Sequence, residues 1–100
     1  MNNSIENLLE PRADKSGRLF IKGTRISVNF IARFWRLGVG ADEIIADYPH
    51  IPPAGVHAAL AYYFANREQM DAEIEKEIEE ERRLKREFMQ FERERQKETA

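Results

Sequence analysis

The sequence predicts a mainly α protein with a three-helix core, an N-terminal β arm and a long charged C-terminal helix. Three observations carry this. Nearly every large apolar residue before position 67 lies between residues 18 and 66, in the stretch RLFIKGTRISVNFIARFWRLGVGADEIIADYPHIPPAGVHAALAYYFAN. Glycines and prolines divide that stretch into one short extended run and three segments with apolar residues at helical spacing. From Arg67 onward 21 of 34 residues are charged, and neither Gly nor Pro interrupts. The organisation that follows is a folded domain over 1–66 and a helical tail over 67–100.

The N-terminal arm comes first. Residues 4–10 contain Ile5, Leu8 and Leu9 and are bounded by Pro11, and Asp14, Lys15, Ser16 and Gly17 have the composition of a turn. Arg18, Leu19, Phe20 and Ile21 read as a short strand, followed by a second turn at Lys22, Gly23 and Thr24. Two or three such strands are marginal alone, so the arm is expected to pair with a second copy or to lie on the helices.

Ser27 suits the N-cap of helix one, because its hydroxyl accepts from a free amide one turn in. Val28, Ile31, Phe34 or Trp35, and Leu37 form the apolar stripe, and Gly38 suits the C-terminal end. Gly40 stands at the next cap, and Asp42 and Glu43 complement the dipole of helix two. Ile44, Ile45 and Tyr48 are its expected buried side, and Pro49 stops it. Pro53 opens helix three in the first turn, where its missing N–H costs nothing. Val56, Ala59, Leu60, Tyr63 and Phe64 then follow i, i+3, i+4, i+7, i+8 spacing, which places this helix at the centre of the core.

In the tail, Met70, Ile74 and Ile78 continue an apolar stripe that shifts phase to Leu84, Phe88 and Phe91. A heptad reading fails where the apolar positions slip at Glu81. At about 1.5 Å per residue such a helix reaches on the order of 45 Å, beyond any core this domain can build.

Bulk numbers narrow the function. One hundred residues allow one modest domain. Residues 1–40 hold seven Lys/Arg against three Asp/Glu, a net of +4. Residues 41–100 hold nine against fifteen, a net of −6, which together give the −2 of the whole chain. With no cysteine, disulfides and thiolate metal sites are excluded. No apolar run approaches the roughly 18 residues of a membrane span, and the N-terminus lacks the pattern of a signal peptide. The chain reads as cytoplasmic.

The motifs KGTRISV, the LG of Leu37 and Gly38, ADEIIADYPHI and VHAALAYY occur in the order found in a known bacterial family. Over residues 17–66 the chain resembles the domains of unknown function numbered 433, which are homeodomain-like and associated with antitoxins of the VapB type. Members commonly carry Ser or Thr where this chain has Gly40 and Pro52, both cap positions that the fold tolerates. The resemblance implies a small dimeric helix-turn-helix-like unit, often encoded beside a PIN-like ribonuclease toxin. It does not extend to the tail.

Each candidate site has a structural reading beside its functional one. Lys22 and Arg25 flank a turn whose amides could meet a phosphate; alternatively Gly23 only permits the turn while Thr24 and Arg25 tie the arm down. Helix three's outward candidates, Ala54, Gly55, His57, Ala58, Ala61 and Tyr62, include none of the side chains that usually make bidentate contacts to bases. DNA contact therefore falls to the basic arm (Arg12, Lys15, Arg18, Lys22, Arg25) and to Arg33 and Arg36 on helix one. Scattered cations of this kind are more often a solvated face. His50 and His57 have no converging carboxylates or second ligand, and no nucleophile–base pair is visible. The chain reads as no enzyme, with no cofactor and no metal.

The tail is the sharpest lead. A charged helix with an apolar stripe suits docking to a partner through Ile74, Ile78, Leu84, Phe88, Met89 and Phe91. If that partner is a PIN-like toxin, Arg82, Arg83, Arg86 or Arg93 could meet its carboxylates by a bidentate contact. The leading expectation is a homodimeric or higher-order antitoxin that neutralises such a toxin through its C-terminal helix, with operator DNA as a secondary partner. The rival from another class is a freestanding DNA-binding transcriptional regulator whose tail only extends the dimer.

Overall fold

The computed structural model describes residues 7–11 and 17–99, the side chain of Thr99 excepted. Two strands and four helices follow in order among the described residues: β1 (Leu9–Pro11), β2 (Leu19–Ile21), α1 (Val28–Arg36), α2 (Ala41–Asp47), α3 (Pro53–Ala65) and α4 (Arg67–Thr99). The fold is mainly helical, as the sequence predicts. Contacts divide it into two compact units, Met1–Met70 and Asp71–Ala100. The first turn of α4 thus belongs with the domain, four residues beyond the boundary expected from composition.

β1 and β2 pair antiparallel, with Leu9 opposite Ile21 and Pro11 opposite Leu19. Leu9, Phe20 and Ile21 are buried, and β2 packs against α1 and α3. Of the two fates open to the arm, this chain uses the second. The strand pair gains its stability by covering the helices.

Local chemistry sets the helix ends. The Ser27 hydroxyl accepts from the Phe30 amide at 3.0 Å, capping α1. At the other end the amides of Gly38 and Val39 donate back to the carbonyls of Trp35 (2.9 Å) and Phe34 (3.0 Å). That bonding pattern requires a left-handed residue after the cap, and Gly38 supplies it with φ of 90°. Leu37 is the cap residue itself and lies 80% exposed, so it leaves the expected stripe because the helix ends beneath it. Its place in the core is taken by Ala32, beside Val28 and Ile31.

In α2 only Ile44 is fully buried. Ile45 is half-buried, and Tyr48 lies at the surface, its ring 6.1 Å from Phe30 and 5.8 Å from Phe34. The short helix turns one residue inward and holds the others at its margin.

α3 is the centre of the domain, packing on α1, α2 and both strands. Gly55, Val56, Ala58, Ala59, Leu60 and Tyr63 are all buried. Gly55 and Ala58 are therefore not outward residues, as single-stripe reasoning expects. Neighbours cover the helix on more than one side, and small residues let them approach. A Cβ on Gly55 would overlap Cγ2 of Ile21. Phe64, expected inside, is 47% exposed and packs edge-on against Trp35 at 4.9 Å. Asn66 then joins two helices: its amide and side chain bond the Tyr62 carbonyl, and its own carbonyl accepts from Met70 at 2.9 Å.

A candidate partner-docking helix

α4 runs 33 residues without a break, which at about 1.5 Å per residue is roughly 50 Å. Met70 and Ile74 are buried and Ile78 is half-buried. Further along, Leu84, Phe88, Met89 and Phe91 are 58%, 60%, 51% and 59% exposed. Ile74 therefore leaves the set of candidate docking residues, because its side chain is already withdrawn from water. The other four carry the exposed apolar surface of the helix.

Helix geometry sorts the remaining candidates. At about 100° per residue, Leu84, Phe88 and Phe91 (i, i+4, i+7) fall on one narrow ridge. Arg82, Arg86 and Arg93 cluster about 180° away, and Arg83 about 110° away. Met89 sides with the basic strip, beside Arg82, Arg86 and Arg93. The structure thus does not bring these arginines onto the face that carries the two phenylalanines. Arg82 and Arg86 lie 3.8 and 3.5 Å from Glu79, and Arg83 lies 3.9 Å from Glu87. These ion pairs are exposed and worth little each, but they hold the side chains along the helix surface.

Arg95, outside the residues singled out from the sequence, shares the face of Leu84, Phe88 and Phe91. It lies seven residues beyond Phe88 and four beyond Phe91, which continues the ridge by one turn. Its guanidinium donates to the Glu92 carboxylate at 3.2 Å. The 84, 88, 91, 95 spacing is the signal that places it on the ridge.

The proposed DNA-contacting residues fare unevenly. Arg12 and Lys15 lie outside the described residues. Arg18, Lys22 and Arg25 are exposed. The turn between the last two is internally bonded: the Gly23 amide donates to a Glu10 carboxylate oxygen (3.1 Å), and the Thr24 amide to the Ile21 carbonyl (3.0 Å). The Thr24 hydroxyl donates to that same carbonyl (2.8 Å) and accepts from the Ile26 amide (3.0 Å). A carboxylate thus occupies the amide of Gly23, which sits at φ 78°. Arg33 and Arg36 occupy the last turn of α1, where a cation complements the helix dipole. Five residues, 48–52, separate α2 from α3, longer than the three or four of the usual helix-turn-helix. Both histidines are exposed.

Among the described residues no group of three His, Cys, Asp or Glu stands together to hold a metal ion. No described helix is long and apolar enough to cross a membrane.

A three-helix, helix-turn-helix-like domain with a two-stranded N-terminal arm and a long charged helix defines a recognisable class of small mainly α protein. The profile of the family described as "Protein of unknown function (DUF433)" matches residues 15–63. A crystal structure of a DUF433 member protein from Anabaena variabilis ATCC 29413, at 2.00 Å resolution, is similar to this chain. The two are 31% identical, with a TM-score of 0.60 over 70% of this chain and 70% of that one. The chain belongs to the DUF433 family. No curated protein matches it.

Proposed function

We propose that this protein is a non-catalytic antitoxin that binds and silences a PIN-like ribonuclease toxin through α4. The observation that carries the reading is the exposure of Leu84, Phe88 and Phe91 along one ridge of an otherwise charged helix. Monomeric proteins scatter single apolar residues over their surfaces, but an aligned group marks a place of interaction. Fully burying one such side chain is worth about 1.5–3 kcal/mol. With roughly 60% of each still exposed, Leu84, Phe88 and Phe91 together offer on the order of 3–5 kcal/mol to a partner. A helix already formed lowers the ordering cost of docking. The toxin class comes from the family resemblance, and a homodimer of the domain is part of the same proposal.

The rival, a freestanding DNA-binding regulator, has less behind it. α3 offers no base-reading side chain on its outward face, and the amides of the Gly23 turn are already bonded. DNA contact is kept as a secondary role of the exposed Arg18, Lys22 and Arg25.

Co-expression with the product of the adjoining reading frame tests the proposal. The full chain is expected to rescue growth from that product and to co-purify with it, and a chain ending at Met70 to do neither. Rescue by the truncated chain would sink the docking role. Binding to the operator that falls steeply with salt, with no effect on the neighbouring protein, would favour the rival.

A further inference from the structure

Resting on that reading, we infer that the docking face of α4 is the ridge Leu84–Phe88–Phe91–Arg95, and that it fits a different protein rather than a second copy of this chain. The partner's groove has an apolar floor, a cationic rim on one side and carboxylates where Arg95 arrives.

The argument starts from register. At about 100° per residue, Leu84, Phe88, Phe91 and Arg95 fall within an arc of roughly 60°. Glu80, Glu87, Glu94 and Glu98 form an acidic rail along one flank, about 65° from the ridge centre. The basic strip of Arg82, Arg86, Arg93 and Lys97 lies diametrically opposite. A helix seated on its ridge therefore turns the acidic rail toward the groove wall and the basic strip away from it. Arg95 is the arginine that enters with the phenylalanines. One of its present partners, Glu92, is on its own helix and half-buried, while the Arg95 side chain is 63% accessible. A partner carboxylate in a drier site replaces that bond with a stronger, bidentate one.

The same register disfavours self-pairing. Toward the N-terminus the ridge continues through Glu81 and Glu77 at the 3,4 spacing. A parallel two-fold pair would set Glu77, Glu81 and Arg95 each beside its own copy in the seam. An antiparallel pair would turn each flank toward the same flank of its mate, acidic rail against acidic rail. Like charges so placed are destabilising. The parallel arrangement fails on charge in its seam; the antiparallel one sets Glu81 beside the Arg95 of its mate but fails along its acidic flank, while a groove of opposite pattern satisfies ridge and rail together.

The test uses the full chain and, as probe, the purified product of the adjoining reading frame, with affinities from calorimetry. Arg95→Ala and Phe88→Ala are each expected to weaken binding at least about tenfold, as central anchors do. Arg95→Lys should fall between, and Arg86→Ala and Arg93→Ala should stay within about twofold of wild type. All four positions are exposed, so circular dichroism should show the same helix content throughout. If Arg95→Ala binds like wild type while Arg86→Ala or Arg93→Ala weakens, the basic strip is the docking face; the inference falls and the antitoxin reading stands. If the wild-type chain does not bind the probe, both fall. Sedimentation of the chain alone supplies the remaining outcome: self-association abolished by Phe88→Glu would show that a second copy covers the ridge, and would overturn the inference.

Discussion

Replacing Gly55 by Ala tests how the arm is held to the helical core. A Cβ at Gly55 overlaps Cγ2 of Ile21 and comes within 3.5 Å of its Cβ and Cγ1. Ile21 has little freedom to yield. It is 1% exposed, its amide donates to the Ile26 carbonyl at 2.9 Å, and its Cα is in register with Leu9. Overpacking of this kind costs about 1–3 kcal/mol. Alanine recovers about 0.5–1 kcal/mol through its better helix propensity. The net loss is then about 0.5–2 kcal/mol, and each 1 kcal/mol lowers Tm by about 4–8 °C in a domain this size. Urea and thermal melts of the full chain, followed by circular dichroism, measure it. Ile21→Ala alone should cost about 2–5 kcal/mol. Because it removes the atom that clashes, the double variant should fall short of the summed losses by about 1 kcal/mol. A neutral or stabilising Gly55→Ala, with strictly additive costs, would refute the close approach of β2 to α3.

Three further expectations follow from the structure. Ser27→Ala removes the cap of α1 and should cost about 1 kcal/mol in a urea melt, with Ser27→Asp restoring most of it. Arg67 lies over the rings of Trp35 (4.8 Å) and Tyr63 (5.7 Å); since Trp35 is the single tryptophan, Arg67→Ala should shift its emission and cost about 0.5–1 kcal/mol. Phe88→Ala combined with Phe91→Ala should leave folding stability within about 0.5 kcal/mol, yet abolish growth rescue; a large stability loss instead would mean these rings are packed within the chain.

The parts of the fold legible in the sequence are those decided by a residue's own backbone chemistry. Ser27, Gly38, Pro53 and the Gly23 turn each act through one or two bonds to near neighbours, so their positions alone locate the helix ends and the arm. Burial on α3 was harder to read. A single stripe puts Gly55 and Ala58 outside, and only the meeting of β2, α1 and α2 around one helix puts them inside. Their small side chains gave no signal either way, since alanine and glycine are as compatible with a crowded site as with an exposed one. On α4 the exposed Leu84, Phe88 and Phe91 were visible from composition. The burial of Ile74 was not, because one apolar periodicity serves the inside of a protein and the face of a partner alike. The place of Arg95 beside the phenylalanines is a matter of helical register, which composition alone does not give.

Amide hydrogen exchange along α4, measured on the free chain at low concentration and again with the product of the adjoining reading frame, bears most directly on the claim that this helix waits for another protein. The account predicts fast exchange between Leu84 and Arg95 in the free chain, where no packing backs the exposed ridge, and marked slowing on binding. Slow exchange in the free chain, or no change with the partner bound, would contradict it.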